Sequence, residues 1–395
     1  MANADHTSDE PRAFKHWFDR ALILELSTSL HQVREDFDTH TFEQDATAGL
    51  ESLEFMERVT QIADALLAAM PWPTSERMQT LIAALPPTLD HIEGGTVERG
   101  YRFWPFGEHI ARSGLDDVDA SFEAMIALTR RFSSEFAIRP FLQADLQDSL
   151  DRLEALVHHP SEHVRRWVSE GTRTRLPWAR AVQGLRDAQD RRLSLLDQLR
   201  HDPARYVQRS VANHLQDIVK DDLDAGLHTL ERWGQEAGLP TRKSDLGWVV
   251  RHASRGLLKA GHPRVLRLFG YEPGRIDVEA FALSHDELQA GENLTLSLAL
   301  HNPTDTAISV RVDYELTGPT RTGRTFAKTF RWKDLTLSPG ERAPVEKRHA
   351  FAHRSTRKVY TGLHTLRALI NGEPSSAHEV WIEGLPGDAP SPRQT

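Results

Sequence analysis

Apolar residues follow two different rhythms along this chain. From Phe14 to about Met70 they recur at three- and four-residue steps. Ala21, Leu22, Leu24, Leu26 and Leu30 open the pattern, and Leu50, Leu53, Phe55, Val59, Ile62, Leu66 and Leu67 continue it. Such steps place apolar side chains on one face of a helix. Pro71–Pro73 and Pro86–Pro87 break the pattern between helices. Gly94–Ile110, GGTVERGYRFWPFGEHI, is rich in glycine and aromatic residues and reads as an ordered loop. Its Tyr101, Phe103, Trp104 and Phe106 either pack onto the helices or stack on a ligand. After Phe269–Gly274 the step falls to two. Ile276, Val278, Ala280 and Ala282 begin the alternation; Leu294, Leu296, Leu298, Leu300 and Ile308, Val310, Val312, Tyr314, Leu316 follow. Thr325–Lys333, Ala343–Ala352, Gly362–Ile370 and His378–Ile382 read as further strands. About seven short strands separated by NPTD, GPTRTG, SPGE and NGEP turns predict an immunoglobulin-like sandwich.

The middle of the chain repeats. Pro160–Glu170 aligns with Pro203–Asn213 at an offset of 43, matching Val164 to Val207, Arg166 to Arg209 and Val168 to Val211. A third copy lies 42 residues further on, where Val249, Arg251 and Leu257 match Val207, Arg209 and Leu215. A period in the low forties is typical of HEAT-like helix pairs. Such pairs stack into a curved solenoid because no unit can bury its apolar face alone. The predicted fold is therefore mainly α, a HEAT-like helical repeat solenoid followed by an all-β immunoglobulin-like sandwich. The expected divisions are a disordered 1–10, a helical domain over 11–275, a sandwich over 276–383 and a disordered tail over 384–395.

Composition narrows the chemistry. The 395 residues exceed one typical core. There is no cysteine, which excludes disulfides, thiolate catalysis, Cys-ligated zinc and iron–sulfur clusters. The polar, acidic N-terminus is unlike a signal peptide, and no apolar run approaches the roughly 18 residues of a membrane span. A cytoplasmic protein without a membrane partner is expected. The net charge of −9 hides an asymmetry: residues 1–120 carry 9 basic and 22 acidic side chains, whereas residues 121–275 carry 25 and 20. Of those 25, 22 are Arg, whose fork matches phosphate. Solvated, ion-paired helix faces are the plainer alternative. The repeated Arg166, Arg209 and Arg251 would form a basic stripe, which Arg255 and Lys259 extend with His252.

His159–Arg180 concentrates the candidate chemistry, with two tryptophans, Glu170 and five arginines. An i,i+4 ion pair from Arg166 to Glu170 is the bland explanation. No HExxH, compact metal set, Walker loop, GxGxxG before a helix or GxSxG elbow is present.

The runs RWVSEGTRTRLPWA (Arg166–Ala179), SEFAIRPFL (Ser134–Leu142) and SVANHLQDIVKDD (Ser210–Asp222) resemble the AlkC-type DNA alkylation repair glycosylases of the AlkC/AlkD superfamily. With the spacing between them they cover most of Phe122 to Tyr271. The resemblance implies a monofunctional glycosylase of base excision repair. Its substrate would be duplex DNA carrying cationic N3-alkylated bases, such as N3-methylcytosine and N3-methyladenine. It would act as a monomer, without metal or small-molecule cofactor and without an enclosed pocket for a flipped base. A base alkylated on a ring nitrogen is already a good leaving group, so the enzyme must stabilise an oxocarbenium-like sugar and place a water.

Carried over residue by residue, the resemblance makes Glu135 and Glu170 the carboxylates and Trp178 the aromatic wall. Arg166, Arg173, Arg175, Arg209, Ser210, Asn213, Asp217 and Lys220 match DNA-facing positions. Asp217, an acid, would orient a neighbouring Arg. AlkD-type relatives end with the solenoid, whereas some AlkC-type proteins carry an immunoglobulin-like domain. Here Arg321, Arg324, Lys328, Arg331 and Lys333 cluster near one predicted hairpin of that domain, as a second DNA-binding jaw or an appendage with another partner. The rival function is a non-catalytic HEAT-repeat scaffold for DNA or protein. It would leave Glu135, Glu170 and Trp178 in separate environments.

Overall fold

Short acidic side chains mark where the helices begin. Asp19, Asp38, Asp117, Asp145 and Asp222 each accept a bond from the backbone N–H three residues on, satisfying a donor the helix cannot. The structure, a computed structural model, describes residues 14–88, 100–241, 243–354 and 358–386. The expected disordered N-terminus, and residues 387–395 of the expected disordered tail, lie outside the described residues.

Contacts divide the chain into two units, Met1–Asp221 and Asp222–Thr395. The first holds α1 (Arg20–Val33), α2 (Thr39–Thr47), α3 (Phe55–Ala69), α4 (Thr74–Ala83), α5 (Trp104–Ser113), α6 (Val118–Thr129), α7 (Arg139–Ala144), α8 (Leu146–Glu154), α9 (Glu162–Gly171), α10 (Gln189–Leu199) and α11 (Arg205–Asp221). Helices α2 and α3, α3 and α5, α4 and α6, and α9 and α11 pack side by side. The repeat's apolar positions do the packing: Val164 and Val168 of α9 and Val207 and Val211 of α11 are fully buried, as is Trp167. The stretch WPFGEHI departs from its expected loop. It opens α5, with Pro105 in the first turn, where the missing N–H costs nothing. Trp104 and Phe106 are buried, packed onto the helices. Gly94–Arg99, the start of that stretch, lies outside the described residues.

The second unit begins with α12 (Leu223–Glu236), α13 (Asp245–Ala253), α14 (Arg255–Lys259) and α15 (Pro263–Leu268). Eight strands follow among the described residues: β1 (Asp277–Leu283), β2 (Glu287–Gln289), β3 (Asn293–His301), β4 (Ile308–Pro319), β5 (Thr325–Leu337), β6 (Arg342–Ala350), β7 (Gly362–Ile370) and β8 (Glu373–Glu383). They form two sheets, ordered β1-β3-β6 and β2-β8-β7-β4-β5. Thus a helical region precedes an immunoglobulin-like sandwich, as the change of rhythm predicts. Leu294, Leu296, Leu298 and Leu300 of β3 share one buried face, and Val310, Val312, Tyr314 and Leu316 of β4 join the same core. Asn371 and Gly372, at φ +48 and +87, form the two-residue turn between β7 and β8, a conformation that an Asn-Gly pair favours. Strand β2 is the unpredicted one; three residues give no measurable alternation.

A fully buried Asn302 pins the sandwich's loops. Its Nδ2 donates to the carbonyls of Thr306, Leu337 and Ser338 at 2.8, 3.0 and 3.0 Å, and its Oδ1 accepts from the Thr304 N–H at 3.0 Å. Asn302→Ala strands those buried groups and is expected to cost roughly 2 kcal/mol or more. A urea titration followed by the β-sheet signal checks this; an unchanged midpoint rejects the role.

Candidate active site

The site is built where the end of α9 meets one face of α11. Ser210, His214, Asp217 and Asp221 follow the three- and four-residue steps of α11, so they stand in one row. The row meets successive residues of α9 and the chain after it. Ser210 Oγ donates to Glu170 Oε2 at 2.6 Å. Arg173 lies between two carboxylates, with Nη1 2.6 Å from Glu170 Oε1 and Nε 2.8 Å from Asp217 Oδ2. Asp221 Oδ2 accepts from the Thr174 hydroxyl at 2.5 Å, and its Oδ1 from Arg175 Nε at 3.0 Å.

Arg166, one turn before Glu170, closes the cluster. Its Nη1 donates to Glu135 Oε2 at 2.7 Å and to Ser133 Oγ at 2.8 Å. Its Nη2 lies 3.7 Å from Glu170 Oε1. Glu135 comes from the turn between α6 and α7, Glu170 from α9, and the one guanidinium holds both. Both carboxylates are buried, at 9% and 6% exposure. Burial opposes ionisation of Glu170, but Arg166, Arg173 and the Ser210 hydroxyl outweigh it and hold its pKa below the ordinary value of 4.5. Asp217 shows the opposite balance: burial pushes its pKa up despite Arg173.

Trp178 occupies the 17-residue span Thr172–Ala188 between α9 and α10. Its backbone is left-handed, φ +65, and it is 77% exposed. The indole lies 6.4 Å from the Phe55 ring and lines a cavity of about 970 Å³. Trp104 and Phe136, stacked at 4.9 Å, lie on the same wall. Phe136 follows Glu135 in the chain, so the connection between α6 and α7 supplies one wall of this cavity and one carboxylate of the cluster; Glu135 and Glu170 themselves do not line the cavity. Glu108 also lines the cavity, and burial raises its pKa.

The remaining predicted residues divide by exposure. Arg209 and Lys220 stand exposed on α11, with Asn213 half-buried between them. Arg175, tied to Asp221, keeps 43% of its side chain exposed. In the second unit Arg251 lies 3.9 Å from Asp334, with its guanidinium 4.5 Å from the centre of the Phe269 ring; Arg255 and Lys259 are exposed. The hairpin cations Arg321, Arg324, Lys328, Arg331 and Lys333 are all exposed, and all except Arg321 and Arg324 lie on β5. Among the described residues no group of three or more His, Asp or Glu could hold a metal ion, and no helix is long and apolar enough to cross a membrane.

Tyr206 and Asp221 escape the sequence, and Tyr101 reads there only as a residue that packs or stacks on a ligand. Tyr206 stands one turn before Ser210, 5.2 Å from the Arg166 guanidinium, and burial followed by the nearby carboxylates raises its pKa against the opposing pull of Arg166. Tyr101 lies close enough to Glu135 and Arg166 for both charges to act on it. Asp221 lies four residues after Asp217; that spacing was the one available signal.

Residues 277–384 match the family described as "Uncharacterised protein YhaZ, C-terminal Ig-like domain". The chain is 31% identical over 324 residues to "Uncharacterized protein YhaZ" of Bacillus subtilis (strain 168), spanning 79% of this chain and 88% of that protein. Among solved structures it is similar to Pseudomonas fluorescens alkylpurine DNA glycosylase AlkC bound to DNA containing an abasic site analog. That likeness has 30% identity and a TM-score of 0.83, and it covers 94% of this chain and all of the other.

Arg166→Leu leaves two buried carboxylates without their shared cation. The expected cost is roughly 3 kcal/mol or more at pH 7. Because the folded-state pKa of Glu170 is depressed, its stabilisation is present above 4.5 and is lost as pH falls through the folded value. The difference between parent and variant should therefore be greatest at neutral pH and shrink below about 4.5. Urea midpoints at pH 7 and pH 4 test it, and an equal or larger gap at pH 4 rejects the ion-pair origin.

Proposed function

We infer, since this chain belongs to the AlkC-type DNA alkylation repair glycosylases in the form with a C-terminal immunoglobulin-like domain, that it releases cationic N3-alkylated bases from duplex DNA. N3-methylcytosine and N3-methyladenine are the substrates proposed. The observation that carries this function is the meeting of two buried carboxylates, Glu135 and Glu170, on one guanidinium.

The bond that breaks joins C1′ of the deoxyribose to the base nitrogen. Its electron pair leaves with the base, which becomes neutral, and the sugar is left cationic. Three carboxylates, Glu135, Glu170 and Asp217, face two guanidiniums, Arg166 and Arg173, so the cluster favours a positive charge arriving beside it. The depressed pKa keeps Glu170 ionised at neutral pH. Water then attacks C1′, and a carboxylate of the pair takes its proton. The exposed Trp178 face stabilises the cationic base and sugar, by up to about 2 kcal/mol where water is excluded. No step calls for an enclosed pocket, because a base that is already charged needs no protonation.

The DNA backbone calls for cations that are not occupied inside the protein. Arg209, Lys220 and the exposed side of Arg175 fit that task in the first unit; Lys259 fits it in the second. Arg166 and Arg173 act instead by holding the carboxylates. Ser210 positions Glu170, and Asp217 positions Arg173.

Base release from duplex DNA carrying N3-methylcytosine or N3-methyladenine tests the function. Activity should persist in EDTA, because the carboxylates are matched to guanidiniums. Glu135→Gln and Glu170→Gln should each lower the single-turnover rate roughly 10²- to 10³-fold, with DNA affinity within a few-fold. No release of either base by the parent protein, or parental rates in both variants, rejects the assignment. Neutralising the five hairpin cations should also flatten the dependence of affinity on salt, by roughly 0.9 in the log–log slope for each phosphate no longer neutralised. An unchanged slope leaves the hairpin out of DNA binding.

A further inference from the structure

The span Thr172–Ala188 contains no helix or strand, yet it carries Trp178 in a strained backbone conformation. Loops longer than about 12–15 residues are uncommon in compact domains and are usually functional. Such a loop presents a side chain reproducibly only if something fixes it on both sides. Before Trp178, the Thr174 hydroxyl donates to Asp221 Oδ2 at 2.5 Å, and Arg175 Nε and Nη2 lie 3.0 and 2.9 Å from Oδ1. After Trp178, Arg186 Nη2 lies 3.4 Å from the same Oδ1. A single carboxylate thus gathers the chain from both sides of the indole.

Asp221 occupies an unfavourable place. It is the last residue of α11, where the helix's own carbonyls repel an anion by about 0.3–1 kcal/mol. Asp217 adds a second negative charge one turn earlier on the same face. The Asp221 side chain has no exposed surface, so it also bears the cost of leaving water. A surface-facing residue at a helix C-terminus would ordinarily be neutral or basic. Two arginines and a hydroxyl, all from the loop, offset these costs.

We propose that Asp221 is a positioning residue: its carboxylate fixes the Thr172–Ala188 loop and so sets Trp178 and Arg175 for base release, without touching DNA itself. This rests on the glycosylase function proposed above, and the test separates the two. Arg139 supports the inner side of the same loop, donating to the carbonyls of Arg173 and Arg180 at 2.9 Å each. Glu170 and Asp217 hold the Arg173 side chain at the start of the loop, whereas Asp221 reaches side chains on both sides of Trp178 and orients Arg175 as well.

Asp221→Asn keeps the shape and removes the charge. In the full chain it should lower single-turnover base release roughly 10- to 100-fold, the scale of a misplacement of about 1 Å, with DNA affinity within about threefold. Thr174→Val removes only the shortest of the bonds to Asp221 and should give a smaller loss, roughly 3- to 10-fold. Added to Trp178→Ala, Asp221→Asn should cost much less than it does alone, because the part of its effect that runs through the indole is already lost. Hydrogen exchange of peptides covering 172–188 should rise in Asp221→Asn, while α9 and α11 keep their protection. Parental release by Asp221→Asn, fully multiplicative losses with Trp178→Ala, or unchanged exchange in the loop overturns the proposal. Should Asp221→Asn fail to fold, Thr174→Val decides on the same readings. Should the parent release no methylated base, the glycosylase function falls, and exchange in the loop still decides whether Asp221 holds it.

Discussion

A carboxylate taken out of water needs a cation that came with it, and the first unit is arranged around that requirement. Arg166 holds Glu135 and Glu170 together, although one comes from the turn between α6 and α7 and the other from α9, 35 residues apart in the chain. Removing either partner from such a buried set costs far more than the pair contributes over an apolar replacement. The cluster therefore adds little to stability and much to placement. Ser210, Arg173 and Asp217 continue the same logic, each satisfying the polar atom that its neighbour leaves over.

The charge asymmetry of the sequence takes on a different meaning in this light. An excess of Arg between residues 121 and 275 suggests a surface for phosphate. Arg166 and Arg173 instead point into the protein and answer carboxylates, and Arg139 answers backbone carbonyls. Exposed residues such as Arg209 and Lys220 carry the outward charge. A residue count cannot separate these two populations, because what divides them is the direction in which each side chain leaves its helix.

The change of apolar step near Phe269–Gly274 locates the sandwich, and the repeated valines locate the packed faces of α9 and α11, because burial leaves a period in the sequence. The motifs around Glu170 and Ser210 mark two sides of the cluster. Asp221 is harder to see, since its partners lie 35 to 47 residues upstream and no local pattern links them. The glycines and aromatics of Gly94–Ile110 read as a loop, but from Trp104 on the aromatic side chains belong to a helix whose proline sits in the first turn. Periodicity also cannot tell which core a helix will join. Helices α12–α15 are grouped with the sandwich, where Tyr271 donates to Asp334 and the chain at Gly261 closes on Gly372.

Trp178 sits at φ +65, which a bulky side chain tolerates only at a cost of order 1–3 kcal/mol. Glycine would fit that backbone without strain, and most of the indole is in solvent, so its removal would sacrifice little packing. Thermal robustness and retention of the indole therefore pull in opposite directions at this codon. A stability-guided redesign, blind to activity, would replace the tryptophan among its first changes and produce a sturdier protein with its aromatic wall gone.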